Sequence, residues 1–453
     1  MRWAIATFVV VVLLGPSGCD RQPSARAIKR DVYLLLIDTL RADHLSLYGY
    51  ERPTSPNLER FAQSATVFEK VVAAAPWTLP SVGSVMTGAY PSVHGLRAMA
   101  RAKQMTALRP ALTTFAEALA NEGYRTVAIV TNPWLTTDQH GLARGFEEYL
   151  ALEMENAPAV HELAREVISR DDPRPLFLYL HYMDPHAPYD RHSDVEGADL
   201  GPLPTQFDRE LTPKEGLSLP EYLRLPGKTD LGSYVRAYDR AIRAWDESFG
   251  DWITWLDART SDAPPLVAVI ADHGEEFVER GTWSHGETLY EEQLWVPWLL
   301  RLPDRSPTRV SDRVVSLVDV APTLLAALGV PVPETMMGSD VLADEFRRDR
   351  PVFAETDVRI GGFVDPRYMQ RAVRRGDKKH IQRPSGPECY DLASDRAERR
   401  STCATAEWLS RAKQDVDDWT RANATLADSL GAAATVEVDP EQQERLRAIG
   451  YVQ

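Results

Sequence analysis

The segment Asp31-Val-Tyr-Leu-Leu-Leu-Ile-Asp38 is an unbroken apolar run that closes on a carboxylate. A short run with no polar face suits a strand buried on both sides in a parallel sheet, which puts Asp38 at the strand's C-terminal end. Similar runs recur at residues 126–130, 176–180, 266–271 and 296–300. Between them, helical patterns occupy residues 112–120, 160–169 and 234–258. In the last of these, Ala241, Trp245, Phe249, Trp252 and Leu256 recur at spacings of three or four, a stripe that reads as core rather than as a cofactor box. The alternation predicts an α/β layered domain with a central, mostly parallel sheet. Its functional groups should gather where the strands' C-terminal ends meet loops.

The whole chain agrees with one large domain and an appendage. Its 453 residues are 44% hydrophobic and 26% charged, an ordinary globular composition that excludes disordered, collagenous and multi-span membrane classes. A net charge of −15 argues against a generic polyanion-binding surface, so nucleic acid is not an expected partner. Only a local pocket or a metal would hold an anion. Residues 190–230, with Pro202, Pro204, Pro213, Pro220 and Pro226, read as a long loop or insertion that shapes substrate access. Beyond residue 335 the strand–helix rhythm weakens into a smaller C-terminal subdomain, with a basic strand or hairpin at 371–382 and a helical segment at 440–449.

The N-terminus carries an address. Residues 3–14 are apolar behind Arg2, too short to span a bilayer and suited to a signal-peptide core. Ser17 and Gly18 then precede Cys19, which resembles a bacterial lipoprotein signal whose cysteine is lipid-modified, although Pro16 stands where that pattern prefers Leu. The alternative is a secretory signal or short anchor with an incidental cysteine. Either places the body outside the cytoplasm, and the first makes it a membrane-anchored lipoprotein of the periplasm or cell exterior. The expected plan is a signal peptide at 1–18, a polar tether at 19–30, a catalytic domain at 31–335 and a C-terminal subdomain at 336–453. In an oxidising compartment Cys389 and Cys403 either pair across a short loop or remain two buried thiols.

Four polar clusters follow the apolar runs. Asp38, with Arg41, Asp43 and His44, is placed to bind a cation or to cap a helix. Thr78 lies two residues before Pro80, which suits a first helical turn, so its hydroxyl is either an N-cap or a nucleophile beside an anion-favouring helix start. Asp272 and His273 follow the run 267–270, and an adjacent carboxylate and imidazole can turn toward one metal. His181, Asp184 and His186 join with His285 as a polar group on the same expected edge. Arg97 and the basic run Arg374-Arg-Gly-Asp-Lys-Lys379 are either a positive wall for an anionic substrate or solvated faces.

A set of ordered segments carries a resemblance: Leu36-Ile-Asp-Thr-Leu-Arg-Ala-Asp-His44, Thr54-Ser-Pro-Asn57, Pro76-Trp-Thr-Leu-Pro-Ser81, Thr87-Gly-Ala-Tyr-Pro-Ser92, Ala271-Asp-His-Gly-Glu275, Leu289-Tyr-Glu-Glu292 and Val318-Asp-Val-Ala-Pro-Thr-Leu-Leu325. Tyr390-Asp-Leu-Ala-Ser-Asp395 with Glu398 closes the series. The chain resembles the sulfatase-like branch of the alkaline phosphatase superfamily. The resemblance implies an alkaline-phosphatase-like fold, with Asp38, Thr78, Asp272 and His273 as metal-site residues, Thr78 as nucleophile, and His181 and His285 steadying the ester oxygens or leaving group. It implies one divalent ion, Zn²⁺ or Mn²⁺ before Ca²⁺ or Mg²⁺, since the set mixes nitrogen with oxygen.

Two departures bear on the chemistry. Sulfatases of the usual kind carry Cys or Ser, converted to formylglycine, where Thr78 stands, and a supporting Arg where Val82 stands. Threonine's extra methyl would yield a ketone, so the aldehyde-hydrate route is closed. Asp38-Thr39 also replaces the paired aspartates. These features imply a hydrolase or transferase of phosphate or sulfate esters, with phosphoester chemistry favoured, as in related threonine-dependent phosphoethanolamine and phosphoglycerol transferases. The substrate would be an anionic ester of a glycan, lipid or small molecule. The alternatives are a formylglycine-independent sulfuric ester hydrolase and an inactive member that binds an extracellular polymer or partner.

Overall fold

The structure, a computed structural model, describes residues 29–97, 104–192, 200–357, 369–437 and 440–448. The signal-peptide reading of 1–18 and the lipidation reading of Cys19 lie outside the described residues.

Eight strands form the main sheet: β1 (Val32–Ile37), β2 (Thr66–Phe68), β3 (Arg125–Val130), β4 (Glu148–Ala151), β5 (Leu176–Tyr182), β6 (Leu266–Ala271), β7 (Trp298–Arg301) and β8 (Thr308–Val310). Their spatial order is β8-β2-β7-β6-β1-β5-β3-β4. The five strands from β6 to β4 are mutually parallel. Every residue of β1, β3, β5 and β6 is buried, as continuous apolar runs require. β7 runs antiparallel to both neighbours and starts at Trp298, later than the expected residue 296. Pro297 has no N–H to give a ladder.

Four helices pack around this sheet, α1 (Thr78–Thr87), α2 (Phe115–Asn121), α3 (Ala157–Ile168) and α4 (Leu231–Arg259), whereas α5 (Leu409–Ser429) packs on the small C-terminal sheet, its Trp419 stacked on Phe353. α2 starts three residues after the expected 112 because Thr114 and Glu117 form a reciprocal capping box, at 3.0 and 2.8 Å. α4 starts three residues before the expected 234, where the Asp230 carboxylate accepts the Ser233 N–H at 2.7 Å. Its Ala241–Trp245–Phe249–Trp252–Leu256 stripe is wholly buried. Trp252 meets Tyr33 edge-on at 6.0 Å, and Trp245 meets Tyr182 at 5.8 Å, so the stripe seats α4 on β1 and β5.

Residues 190–230 are not all loop: a short helix, Pro213–Ser218, sits within them, capped by Thr212. The segment packs beside His285, with the Tyr222 hydroxyl donating to Ser284 at 2.8 Å and the Trp283 indole donating to the Glu215 carbonyl at 3.0 Å.

A separate antiparallel sheet follows, formed by β9 (Val352–Asp357), β10 (Met369–Arg375), β11 (Lys378–Gln382) and β12 (Glu388–Asp391). The basic run is the β10–β11 hairpin. Arg374 and Lys379 are neither a substrate wall nor a solvated face, since both are buried against Glu291 at 2.7 and 2.9 Å. Arg97 is likewise ion-paired, with Asp357. Cys389 and Cys403 form a disulfide. It closes a segment in which the buried Glu398 carboxylate accepts the Glu291 N–H at 2.6 Å and lies 2.9 Å from Lys379 Nζ.

That loop of sequence separation 14 should restrict the unfolded chain by about 3 kcal/mol. Cys403→Ser, or added reductant, should therefore lower the urea midpoint by a matching amount. No change under reductant would show that the bridge carries no stability.

Candidate active site

Four adjacent parallel strands deliver the polar residues to one edge. β1 leads into Asp38, β6 into Asp272 and His273, and β5 carries His181 in register with Leu36. β3 ends just before Thr131 and Asn132. Thr78 arrives from the other direction as the first residue of α1. Trp77 holds the N-cap position, so the Thr78 hydroxyl is not spent on capping. The Ser81 hydroxyl donates to the Asp272 carbonyl at 2.7 Å and ties the start of α1 to the end of β6. Gly274 is required by close approach, because a Cβ there would lie 2.1 Å from the Glu292 carbonyl oxygen.

The hydroxyl of Thr78 lies 3.3 Å from Asp38 Oδ2, 3.3 Å from His273 Nε2 and 3.4 Å from Asn132 Nδ2. His273 Nε2 is 3.5 Å from Asp38 Oδ1 and 3.4 Å from Asp272 Oδ2. His181 Nε2 is 3.6 Å from Asp38 Oδ2. Asn132 donates to that same oxygen at 2.6 Å. All of these side chains are fully buried.

Burial pushes the Asp38 carboxyl up to about 6. Burial, then the neighbouring Asp38 charge, pushes Asp272 well above the carboxylate range. Burial also holds His181 down to about 3 and His273 well below its ordinary value, so both imidazoles are neutral at physiological pH. Their outer nitrogens are already engaged. His273 Nδ1 faces the Gly274 carbonyl at 2.9 Å. The Thr131 hydroxyl donates to the His181 carbonyl at 3.1 Å, so it accepts from His181 Nδ1 at 3.2 Å. Each arrangement leaves Nε2 with its lone pair directed inward.

These residues fit a divalent cation. Asp38, His181 and Asp272 bring ligand atoms within 4.8 Å of one another. Asp272 Oδ2 and His181 Nε2 are buried without a hydrogen-bond partner among the described residues. Two buried carboxylates this close are relieved by a proton or by a cation between them. His181, expected on the ester side, therefore stands among the possible ligands.

Thr39 occupies the place of the second aspartate in a left-handed conformation, φ 57°, which costs a β-branched residue about 1–3 kcal/mol. That turn aims the Thr39 N–H at Asp272 Oδ1, 3.2 Å away. Tyr238 holds it there, its hydroxyl donating to the Thr39 carbonyl at 2.6 Å.

His285 stands beside this group, its ring centre 4.5 Å from that of His273. Its Nδ1 is 3.1 Å from Glu275 Oε1, and the Tyr189 hydroxyl donates to Glu275 Oε2 at 2.9 Å. Val82 is buried in α1 and brings no charge. Asn132, Glu275 and Tyr189 received no role from sequence reasoning. Asn132 had a signal, for it follows the apolar run 126–130 as Asp38 follows 31–37. Tyr189 had none, since only folding brings it to Glu275.

A family model described as Sulfatase matches residues 30–330. The chain belongs to the Sulfatase family, within the alkaline phosphatase superfamily, and is an ester-cleaving enzyme of that class. Endo-4-O-sulfatase of Bacteroides thetaiotaomicron is 23% identical over 394 residues, covering 76% of this chain and 74% of that protein. Low-salt glycan biosynthesis sulfotransferase Agl7 of Haloferax volcanii is 26% identical over 452 residues, covering 93% and 96%. The crystal structure of the phosphonate monoester hydrolase of Agrobacterium radiobacter shares the fold, with a TM-score of 0.67 at 18% identity over 91% of this chain and 100% of that one.

Proposed function

We propose that the protein cleaves or transfers an anionic ester, phosphate in preference to sulfate, with Thr78 as nucleophile. The observation that carries this is the Thr78 hydroxyl, placed at the start of α1 within 3.5 Å of Asp38, His273 and Asn132. Asp38, Asp272, His273 and His181 would hold one divalent cation, Zn²⁺ or Mn²⁺ by the mixed nitrogen and oxygen set. When bound, such an ion lowers a hydroxyl's pKa and polarises the ester.

The chain's own groups do the rest. Thr78 Oγ1 forms the bond to phosphorus while the bond to the leaving oxygen breaks, and the proton released from the Thr78 hydroxyl balances the one taken up by the departing oxygen. The N-terminal end of α1 faces the anion, and the Asn132 amide faces the attacking oxygen. His285, its ring fixed by Glu275, protonates or steadies the departing oxygen. Water or an acceptor alcohol then displaces Thr78 and regenerates the hydroxyl. Incubation with a slow phosphodiester should add one phosphoryl-containing group to the intact mass, mapped to Thr78. A sulfo adduct formed from a sulfate ester, with no phosphoryl adduct, would favour the formylglycine-independent sulfatase instead. The substrates named for the relatives are consistent with a glycan ester.

We also propose export with a lipid anchor at Cys19, which agrees with a disulfide in the mature body. Cys19→Ser should move the protein from the membrane fraction to the soluble fraction and abolish labelling by a fatty acid. Membrane retention without labelling would leave an uncleaved N-terminal anchor as the explanation.

A further inference from the structure

A cavity of about 960 Å³ is lined by Arg41, Phe277 and Glu279 among others, at the upper end of the range for small-ligand sites. None of Asp38, Thr78, His181, Asp272, His273 or His285 lines it. Glu275 is the partition. Its carboxylate serves His285 at 3.1 Å, while its carbonyl accepts Arg41 Nη1 at 2.8 Å from the cavity side.

The floor is electrically satisfied: Arg41 is matched by Asp43 at 2.8 Å and by Glu279 at 2.6 Å. The mouth is different. Arg396 lies flat on the Trp295 indole, 3.5 Å from the ring centre. Among the described residues no carboxylate pairs with the guanidinium of Arg396 or Arg399, and both line the cavity.

These arginines sit on a pinned segment. The Cys389–Cys403 disulfide closes it. The Arg280 guanidinium donates to the carbonyls of Ala397 and Glu398, each at 2.9 Å, and the Asp395 carboxylate accepts the N–H groups of Arg399 and Arg400 at 3.0 and 2.9 Å. The backbone that carries them is therefore set before any ligand arrives. Phe207 and Phe277 supply apolar groups between these polar ones. Such a lining suits a ring with C–H faces and hydroxyl edges, and two unpaired guanidinium forks suit an oxyanion on that ring.

We propose that this cavity binds an anionic saccharide unit, sulfated or phosphorylated, at a position separate from the reacting centre. The lining balances five arginines against five carboxylates, so recognition rests on the two guanidiniums without a bonded carboxylate rather than on net charge, and it does not depend on which ester Thr78 attacks.

Calorimetry on the full chain carrying Thr78→Ala, with a sulfated disaccharide as probe, tests this. Arg396→Ala with Arg399→Ala should weaken binding about tenfold or more, while turnover of a small aryl ester by the same pair on the Thr78 background stays within twofold. Thr205→Trp, which fills space from a lining residue outside the 389–403 segment, should weaken binding without altering the arginine segment itself. It thereby controls for misfolding of that segment. The proposal is overturned if the probe does not bind, if both sets of variants bind it as the parent does, or if aryl-ester turnover falls in parallel with binding. Equal affinity for inorganic sulfate overturns the saccharide assignment.

Discussion

Thr78→Ala is expected to lower kcat on an activated phosphodiester by about 10⁴-fold or more, the scale of loss when a covalent nucleophile is removed. The geometry leaves few substitutes. Ser81 donates its hydroxyl to the Asp272 carbonyl, and Ser84 is turned back toward Pro80 and His94. The only hydroxyl among the described residues that faces Asp38, His273 and Asn132 together is that of Thr78. Thr78→Ser keeps the oxygen at the start of α1 and should retain most of the rate, which separates loss of the nucleophile from loss of packing. An alanine variant with unchanged kcat and no adduct would transfer the attack to water and end the covalent reading.

Removal of the two buried carboxylates is the second large effect. Without a cation, Asp38 holds its proton to about pH 6, above the ordinary carboxylate value of 3.8, chiefly because it is buried. The folded chain then binds that proton more tightly than the unfolded chain, so stability falls as pH rises from about 4 to about 6.

A divalent cation takes the proton's place, so its stabilisation should grow through the same window. Zn²⁺ or Mn²⁺ should raise the thermal midpoint more at pH 7 than at pH 4.5. Asp38→Asn with Asp272→Asn should lose that increment and flatten the pH dependence of the metal-free protein. The same variant should lose at least about 10²-fold in turnover, the scale of a lost electrostatic stabiliser. A midpoint increment that survives both substitutions would place the cation elsewhere. The melting readout stands apart from catalysis, so it tests the ligand set even if the true substrate is never tried.

Much of this was legible in one dimension because it rests on local rules. A continuous apolar run can be satisfied only by burial on both faces, so residues 31–37 predict a central parallel strand and Asp38 follows at its C-terminal end. Pro80 belongs in a first helical turn, so Thr78 is read at a helix start. The spacing of Trp245, Phe249 and Trp252 obeys the helical period and predicts their burial. Pro297, by contrast, shows how one missing N–H shifts a boundary that hydropathy alone places too early.

What the chain determines by itself is therefore the sheet, the edge on which chemistry gathers and the residue types brought there, because hydropathy period and strand ends are properties of neighbouring residues. Only the tertiary structure decided which of those groups meet. It set Asn132 against Asp38 across 94 positions of sequence, placed Glu275 between His285 and a second cavity, and turned the basic hairpin inward onto Glu291. The physical reason is that a hydrogen bond or ion pair acts within a few ångströms of space, and the strand order that brings such partners together is set by packing of the whole sheet rather than by any one segment.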